Sequence, residues 1–234
     1  GGMRSVSGNR IPKWNKDMPK GSHKINHTIA NPGQERKVVY FPSCINRTMG
    51  KSKGYKKDEV ELTKKTQELL ERAGFTIIYP ERLNHLCCGM AFSSKGYKEE
   101  GAKKSKELED ALFAASENGK YPILFDMSPC FYTFHESFHR DDMKIYDPIE
   151  FMMDFVMPHL HIKAKKDIVT VFPVCSVKKI GMEQKLVELS QLCANEVKLV
   201  ETNCCGFAGD RGFTYPELNK HGQRHLAEQI PDGC

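Results

Sequence analysis

The chain lacks any apolar run approaching the ~18 residues that a membrane helix needs, so no transmembrane segment is expected. Its first residues, GGMRSVSGNR, lack the apolar stretch of a secretion signal. Aromatic residues are scarce, 9% with a single tryptophan, and no aromatic–glycine–basic clusters occur. Charge of one sign is scarce as well. The 35 basic and 30 acidic residues leave +5, and the lysines alternate with glutamates, as in KKDEVELTKKTQELLER. That pattern is a solvated helix face, and no nucleic-acid partner is expected. Two cofactor signatures are missing too: a glycine-rich flavin fingerprint and the ferredoxin run Cys-x-x-Cys-x-x-Cys-x-x-x-Cys-Pro. At 234 residues, 28% charged and 39% hydrophobic, the chain reads as ordinary globular protein, one large domain or two small ones.

What it has is cysteine in a pattern. Nine cysteines are too few for a disulfide scaffold, and an odd number in a chain this long is a poor fit to a secreted framework. Cys87-Cys88 and Cys204-Cys205 are vicinal pairs, each followed by glycine. Adjacent cysteines rarely bond to each other, because the small ring strains the peptide. Metal ligation is therefore the leading explanation of two such pairs.

The organisation reads as one plan used twice. Residues 1–36 hold Pro12, Pro19, Pro32 and Trp14 without periodicity, and are expected to be an extended arm or linker. A first cysteine-rich repeat spans 37–147. Within it KVVYF (37–41), FTIIYP (75–80) and YPILFD (121–126) read as strands, and 58–72 and 98–118 as helices. A connecting helix rich in Met and Phe occupies 148–166. A second repeat spans 167–234, with strands at 167–173 and 196–201 and helices at 182–194 and 216–229. Strand-Cys, helix, strand-Cys-Cys-Gly, helix occurs in both halves.

Alternating strands and helices predict an α/β fold: two pseudo-repeated lobes, each a small parallel sheet with flanking helices. Ligands of such sheets gather beyond the carboxyl ends of the strands, which is where a metal site is expected. Cys44, Cys87, Cys88 and Cys130 each follow a predicted strand, so residues some forty positions apart should converge. Four soft thiolates suit a closed metal site or a [4Fe–4S] cluster. The second site offers Cys175, Cys204 and Cys205, with Cys234 as a further candidate. Gly89 and Gly206 would let the backbone turn tightly and present N–H groups to sulfur. Other residues read as structural. Cys193 is expected in the core, His85 in a loop, His135 and His139 on a surface face, and His159 and His161 near helix carbonyls. Asp210 and Arg211 either pair with each other in a tight turn or serve a centre or partner. The segment 148–160 is expected as a core helix.

The order Cys, Cys-Cys-Gly, then a further Cys-containing turn, present twice, resembles the cysteine-rich CCG domain. That domain occurs in heterodisulfide reductase B subunits and in iron–sulfur subunits of glycolate and glycerol-3-phosphate dehydrogenases. NCCGFAGDRGFTYPEL (203–218) and FDMSPCFYTF (125–134) are similar to the C-terminal region of FAD- and iron–sulfur-containing D-lactate dehydrogenases. The resemblance covers about residues 10–234. It implies iron–sulfur centres, non-cubane [4Fe–4S] in some members, held by Cys44, Cys87, Cys88, Cys130, Cys175, Cys204 and Cys205. It further implies transfer of electrons from a flavin domain or ferredoxin-like clusters to a quinone, cytochrome or flavoprotein acceptor. FAD would belong to the longer protein, and the piece in hand would not oxidise lactate alone.

The family motif ends in Cys-x-x-Cys, but Met127 stands where the first of those cysteines would be. A four-ligand cluster or zinc suits the first site better, while the second stays open to the non-cubane form. Only 28 residues separate Cys205 from Cys234, against 41 between Cys88 and Cys130. The second repeat is therefore expected to stop before its last motif, with Cys234 not the counterpart of Cys130. Two other classes stay open: a zinc-binding structural or docking module, and a thiol–disulfide oxidoreductase using a vicinal pair. Reduced thiols and labile clusters imply the cytoplasm, free or peripheral at the inner membrane face.

Overall fold

The computed structural model describes residues 19–51, 60–138, 140–163, 165–201, 204–207 and 211–234. Trp14, the expected helix start at 58, His139, Asn203 and Asp210 lie outside the described residues. The chain divides into two units, which meet in sequence between His161 and Ile162.

The first unit is built on one sheet. Its strands are β1 (Ile29–Ala30), β2 (Arg36–Phe41), β3 (Phe75–Ile78), β4 (Ile123–Phe125) and β5 (Ile145–Tyr146), in the order β1-β3-β2-β4-β5. Strands β3, β2, β4 and β5 run parallel, with Val38 opposite Ile77 and Tyr40 opposite Leu124. Strand β1 is antiparallel to β3, so this sheet is mixed where an all-parallel one was expected. The expectation failed because β1 comprises two residues whose partners, Ile78 and Ile77, lie 49 and 47 positions on. Central β2 carries Val38, Val39, Tyr40 and Phe41, all almost wholly buried. Such continuous apolar runs are what a parallel strand covered on both faces requires.

Helices α1 (Cys44–Thr48), α2 (Leu62–Arg72), α3 (Met90–Ser93), α4 (Lys98–Ala115), α5 (Ser128–Ser137) and α6 (Pro148–Phe151) complete the unit. Helix α2 buries Thr63, Thr66 and Leu70, and α4 buries Gly101, Ser105, Leu108 and Leu112. Both sets recur every three or four residues, one face of each helix. Beneath β4 lies an aromatic cluster. Phe125 has ring centroids of Phe41 and Phe134 each at 5.2 Å and that of Phe131 at 6.1 Å. The Met- and Phe-rich segment continues α6 through a π turn (Met152–Val156) and a 3-10 turn (Met157–His159). It buries Ile149, Phe151 and Val156, and the Phe151 ring stacks on Phe155 at 5.0 Å.

The second unit contains the parallel pair β6 (Lys166–Val171) and β7 (Ala194–Leu199), with Ile168 opposite Glu196 and Val171 opposite Leu199. Its helices are α7 (Cys175–Lys179), α8 (Glu183–Cys193), α9 (Arg211–Thr214) and α10 (Pro216–Gly222). The expected helix over 216–229 stops at Gly222, and a separate 3-10 turn covers Ala227–Gln229. Gly222 lies against the Cys-Cys-Gly turn, where a Cβ would stand 2.7 Å from the Cys204 carbonyl oxygen. Cys193, expected in the core, is exposed at the end of α8. Helix α8 has no fully buried residue, so its apolar spacing did not imply enclosure.

Candidate metal centre

Both repeats present their first cysteine in the same way. Strand β2 runs into Phe41-Pro42-Ser43-Cys44, and β6 into Phe172-Pro173-Val174-Cys175. Proline has no N–H for a ladder, so each strand ends there, and the cysteine becomes the first residue of a short helix. In the first repeat the Ser43 hydroxyl accepts from the Asn46 N–H at 3.4 Å. Asp126, just past β4, ties this corner to the next strand. Its carboxylate accepts from the Ser43 N–H at 2.8 Å and the Tyr40 hydroxyl at 3.1 Å, and burial raises its pKa.

The second and third cysteines sit on a turn that requires glycine. Gly89 has φ +86°, and a Cβ there would run into the backbone carbonyl oxygen of Gly101, with the carbonyl carbon at 3.0 Å. Its N–H donates to Cys87 Sγ at 3.4 Å. Gly206 repeats every feature. Its φ is +70°, its N–H donates to Cys204 Sγ at 3.3 Å, and a Cβ would collide with the Leu218 carbonyl. Gly101 and Leu218 lie the same twelve positions downstream of their glycines. Two separate stretches of chain thus build one turn.

Cys130 enters from the first turn of α5, so the carboxyl ends of β2, β3 and β4 each deliver a cysteine. Their thiols interact in series, Cys44 with Cys87, Cys87 with Cys88, and Cys88 with Cys130. Cys87 is the acceptor of the chain. Contacts from Cys44 and Cys88, aided by the Gly89 N–H and the Arg47 guanidinium, hold it far below the usual thiol range. Cys44 is pushed up by Cys87 and by burial, and Cys88 by Cys130, Cys87 and burial. Cys88 and Cys130 are each 3% exposed, while Cys44 and Cys87 are half-buried.

The second repeat places Cys175 and Cys204 in solvent and Cys205 half-buried, with the Asn219 amide donating to the Cys205 carbonyl at 2.8 Å. Cys234 does not join them. Its thiol lies 3.0 Å from the Thr170 hydroxyl, along β6. Among the described residues, no three or more His, Cys, Asp or Glu side chains are already disposed around one metal-sized centre. The donor set of the first repeat nevertheless suits a soft metal or cluster. It brings four thiols into a linked series, with a glycine cradle beside them.

Arg47 is the residue that sequence reasoning missed. Its Nε donates to the Pro42 carbonyl at 3.0 Å, Nη2 to Leu86 at 2.6 Å and Nη1 to Leu83. One guanidinium therefore joins the end of β2 to the loop that leads into Cys87. A signal was present in the repeat: Arg47 follows Cys44 by three positions, as Lys178 follows Cys175.

The CCG cysteine-rich domain model matches residues 38–135 and 169–232, once on each repeat. The chain belongs to the CCG cysteine-rich domain family. The two matched stretches bear out the internal repeat, and each contains one of the Cys-Cys-Gly turns. Lactate utilization protein A 2 of Bacillus mycoides is 25% identical over 186 residues, which cover 74% of this chain and 73% of that protein. Lactate utilization protein A of Bacillus cytotoxicus and of Bacillus thuringiensis match to the same extent. This CCG protein is thus distantly homologous to lactate utilization protein A. A solved dienelactone hydrolase from Anabaena variabilis covers 92% of this chain and 98% of its own at 11% identity, with a TM-score of 0.24 that carries no argument. Among the described residues no helix is long and apolar enough to cross a membrane.

Proposed function

We propose that this CCG protein is an iron–sulfur electron-transfer module serving the oxidation of lactate or a related D-2-hydroxy acid. The observation that carries the reading is the gathering of Cys44, Cys87, Cys88 and Cys130 beyond three neighbouring parallel strands. The name of its relatives, lactate utilization, supports the substrate class. Cys175, Cys204 and Cys205 are the ligands proposed for the second site. A cluster, when bound, supplies one-electron transfer. The chain's own part is to offer thiolates, to exclude water from Cys88 and Cys130, and to direct the Gly89 and Gly206 N–H groups at sulfur. Substrate oxidation itself falls to a flavin-bearing partner or domain, with a quinone, cytochrome or flavoprotein as the final acceptor.

The deciding experiment counts iron, acid-labile sulfide and zinc per chain after anaerobic expression. Roughly four iron and four sulfide per filled site are expected. Cys87→Ser and Cys130→Ser should each remove the first site's share, while Cys193→Ser should leave the count unchanged. Zinc without sulfide would move the first site to a structural tetrathiolate role. No metal of either kind would sink the electron-transfer reading.

A further inference from the structure

Arg47 is a half-buried cation whose direct hydrogen bonds, among the described residues, all go to carbonyls, those of Pro42, Leu83 and Leu86. Ordinarily a guanidinium withdrawn from water is matched by a carboxylate. The carboxylate that acts on its charge, Asp126, takes its hydrogen bonds from Ser43 and Tyr40 and none from Arg47. The groups acting on the Arg47 charge are first Cys44 and Cys87, then Asp126 and Cys130. Four thiolates around a zinc ion or an oxidised [4Fe–4S] cluster leave a net negative charge, which a neighbouring cation stabilises.

We infer that Arg47 is the counter-cation of the first centre, a positioning residue that stabilises the tetrathiolate charge while its carbonyl contacts fix the loop entering Cys87. This inference rests on the four-thiol set being a metal centre, and it makes the two sites unequal. The corresponding residue of the second repeat, Lys178, is an exposed ammonium 3.9 Å from Glu183, so its charge is shared with a carboxylate. Arg47 has the fixed fork needed to bridge three acceptors, and its position is set by backbone rather than by another side chain.

The test uses the whole chain with Cys175 and Cys204 replaced by Ser, so that the first site alone binds metal. Zinc affinity is measured by chelator competition, and cobalt(II) reports bound thiolates through its charge-transfer absorption. Arg47→Gln should weaken zinc binding by roughly 10–100-fold, the usual cost of losing a residue that supports metal ligands. At saturation the cobalt absorption per chain should match the parent, because the thiolates themselves are untouched. Arg47→Lys, which keeps the charge but not the fork, should lose clearly less than Arg47→Gln. Arg47→Gln within twofold of the parent would overturn the inference. So would equal losses in the two variants, which would assign Arg47 to packing alone. Should Arg47→Gln not fold, a tenfold or larger loss in Arg47→Lys overturns it, and a smaller loss supports it. A parent that binds neither metal would overturn both this inference and the four-thiol reading. A parent that binds normally beside an unaffected Arg47→Gln overturns this inference only.

Discussion

Gly89→Ala is the sharpest probe of the Cys-Cys-Gly turn. Two costs act there at once. The φ of +86° lies in the left-handed region, which costs an L-residue about 1–2 kcal/mol. The added methyl would also strike the Gly101 carbonyl, whose carbon and Cα lie 3.0 and 3.3 Å from the new Cβ. That carbonyl is backbone inside α4 and cannot swing aside as a side chain would, so an overpacking cost of about 1–3 kcal/mol is added. The sum is about 2–5 kcal/mol, or roughly 5–20 °C in Tm for a domain of this size. Gly96→Ala separates the two costs. Gly96 has φ +94° with nothing within 4 Å of its Cβ position, so only the conformational cost applies there, about 1–2 kcal/mol. Thermal unfolding followed by circular dichroism, on reduced metal-free protein, reads both. Gly89→Ala should melt several degrees below Gly96→Ala. Equal melting temperatures would refute the close approach of the turn to α4.

Three further outcomes follow from burial. Phe125→Ala removes a fully buried ring at the centre of the aromatic cluster, and should lower stability by about 3–5 kcal/mol, read as a lower urea midpoint with an unchanged m-value. Iodoacetamide on the reduced metal-free protein should label exposed Cys175, Cys193, Cys204 and Cys234 ahead of buried Cys88 and Cys130. Buried Cys88 and Cys130 should wait for local opening, and peptide mass spectrometry showing early label on Cys130 would contradict the packing. Asp147 is wholly buried, with one carboxylate oxygen accepting from the Ile149 N–H at 2.9 Å, and burial raises its pKa above 3.8 against the opposing hydrogen bonds from Ser128 and Ile149. The folded state therefore holds this proton to higher pH than the unfolded state, so its contribution is full below about pH 4 and is lost as pH rises through the folded pKa. Asp147→Asn keeps the cap and the neutral form, and should match the parent in acid but exceed its stability at pH 7.

The parts of the molecule legible in the sequence are those governed by local rules. Five expected strands, at 37–41, 75–80, 121–126, 167–173 and 196–201, overlap β2, β3, β4, β6 and β7, because each is a short β-branched or aromatic run. The glycine of each Cys-Cys-Gly was legible for the same reason, since a positive φ beside sulfur has a residue-level cause. What escaped was set by distance along the chain. Strand β1 exists through its pairing with β3, and two residues carry no periodicity. Arg47 looks like any cation in the last turn of a helix. Its meaning comes from the carbonyls of Leu83 and Leu86, 36 and 39 positions away. The short helices that open at Cys44 and Cys175 were hidden too, because five residues are fewer than two turns.

The two repeats share what the turn demands and differ in what surrounds it. The positive φ, the N–H to sulfur contact and the abutting carbonyl twelve positions on are common to Gly89 and Gly206, because each is a backbone requirement. Burial is not common to them. In the first repeat, built on a five-stranded sheet, Cys88 and Cys130 are buried, whereas in the second, with a two-stranded one, Cys175 and Cys204 stand in solvent. Charge interactions strengthen as water is excluded. The half-buried Arg47 cation therefore acts on Cys87, whereas Lys178 is exposed and shares its charge with Glu183. Duplicated ligands in unequal surroundings would hold the same metal with unequal affinity.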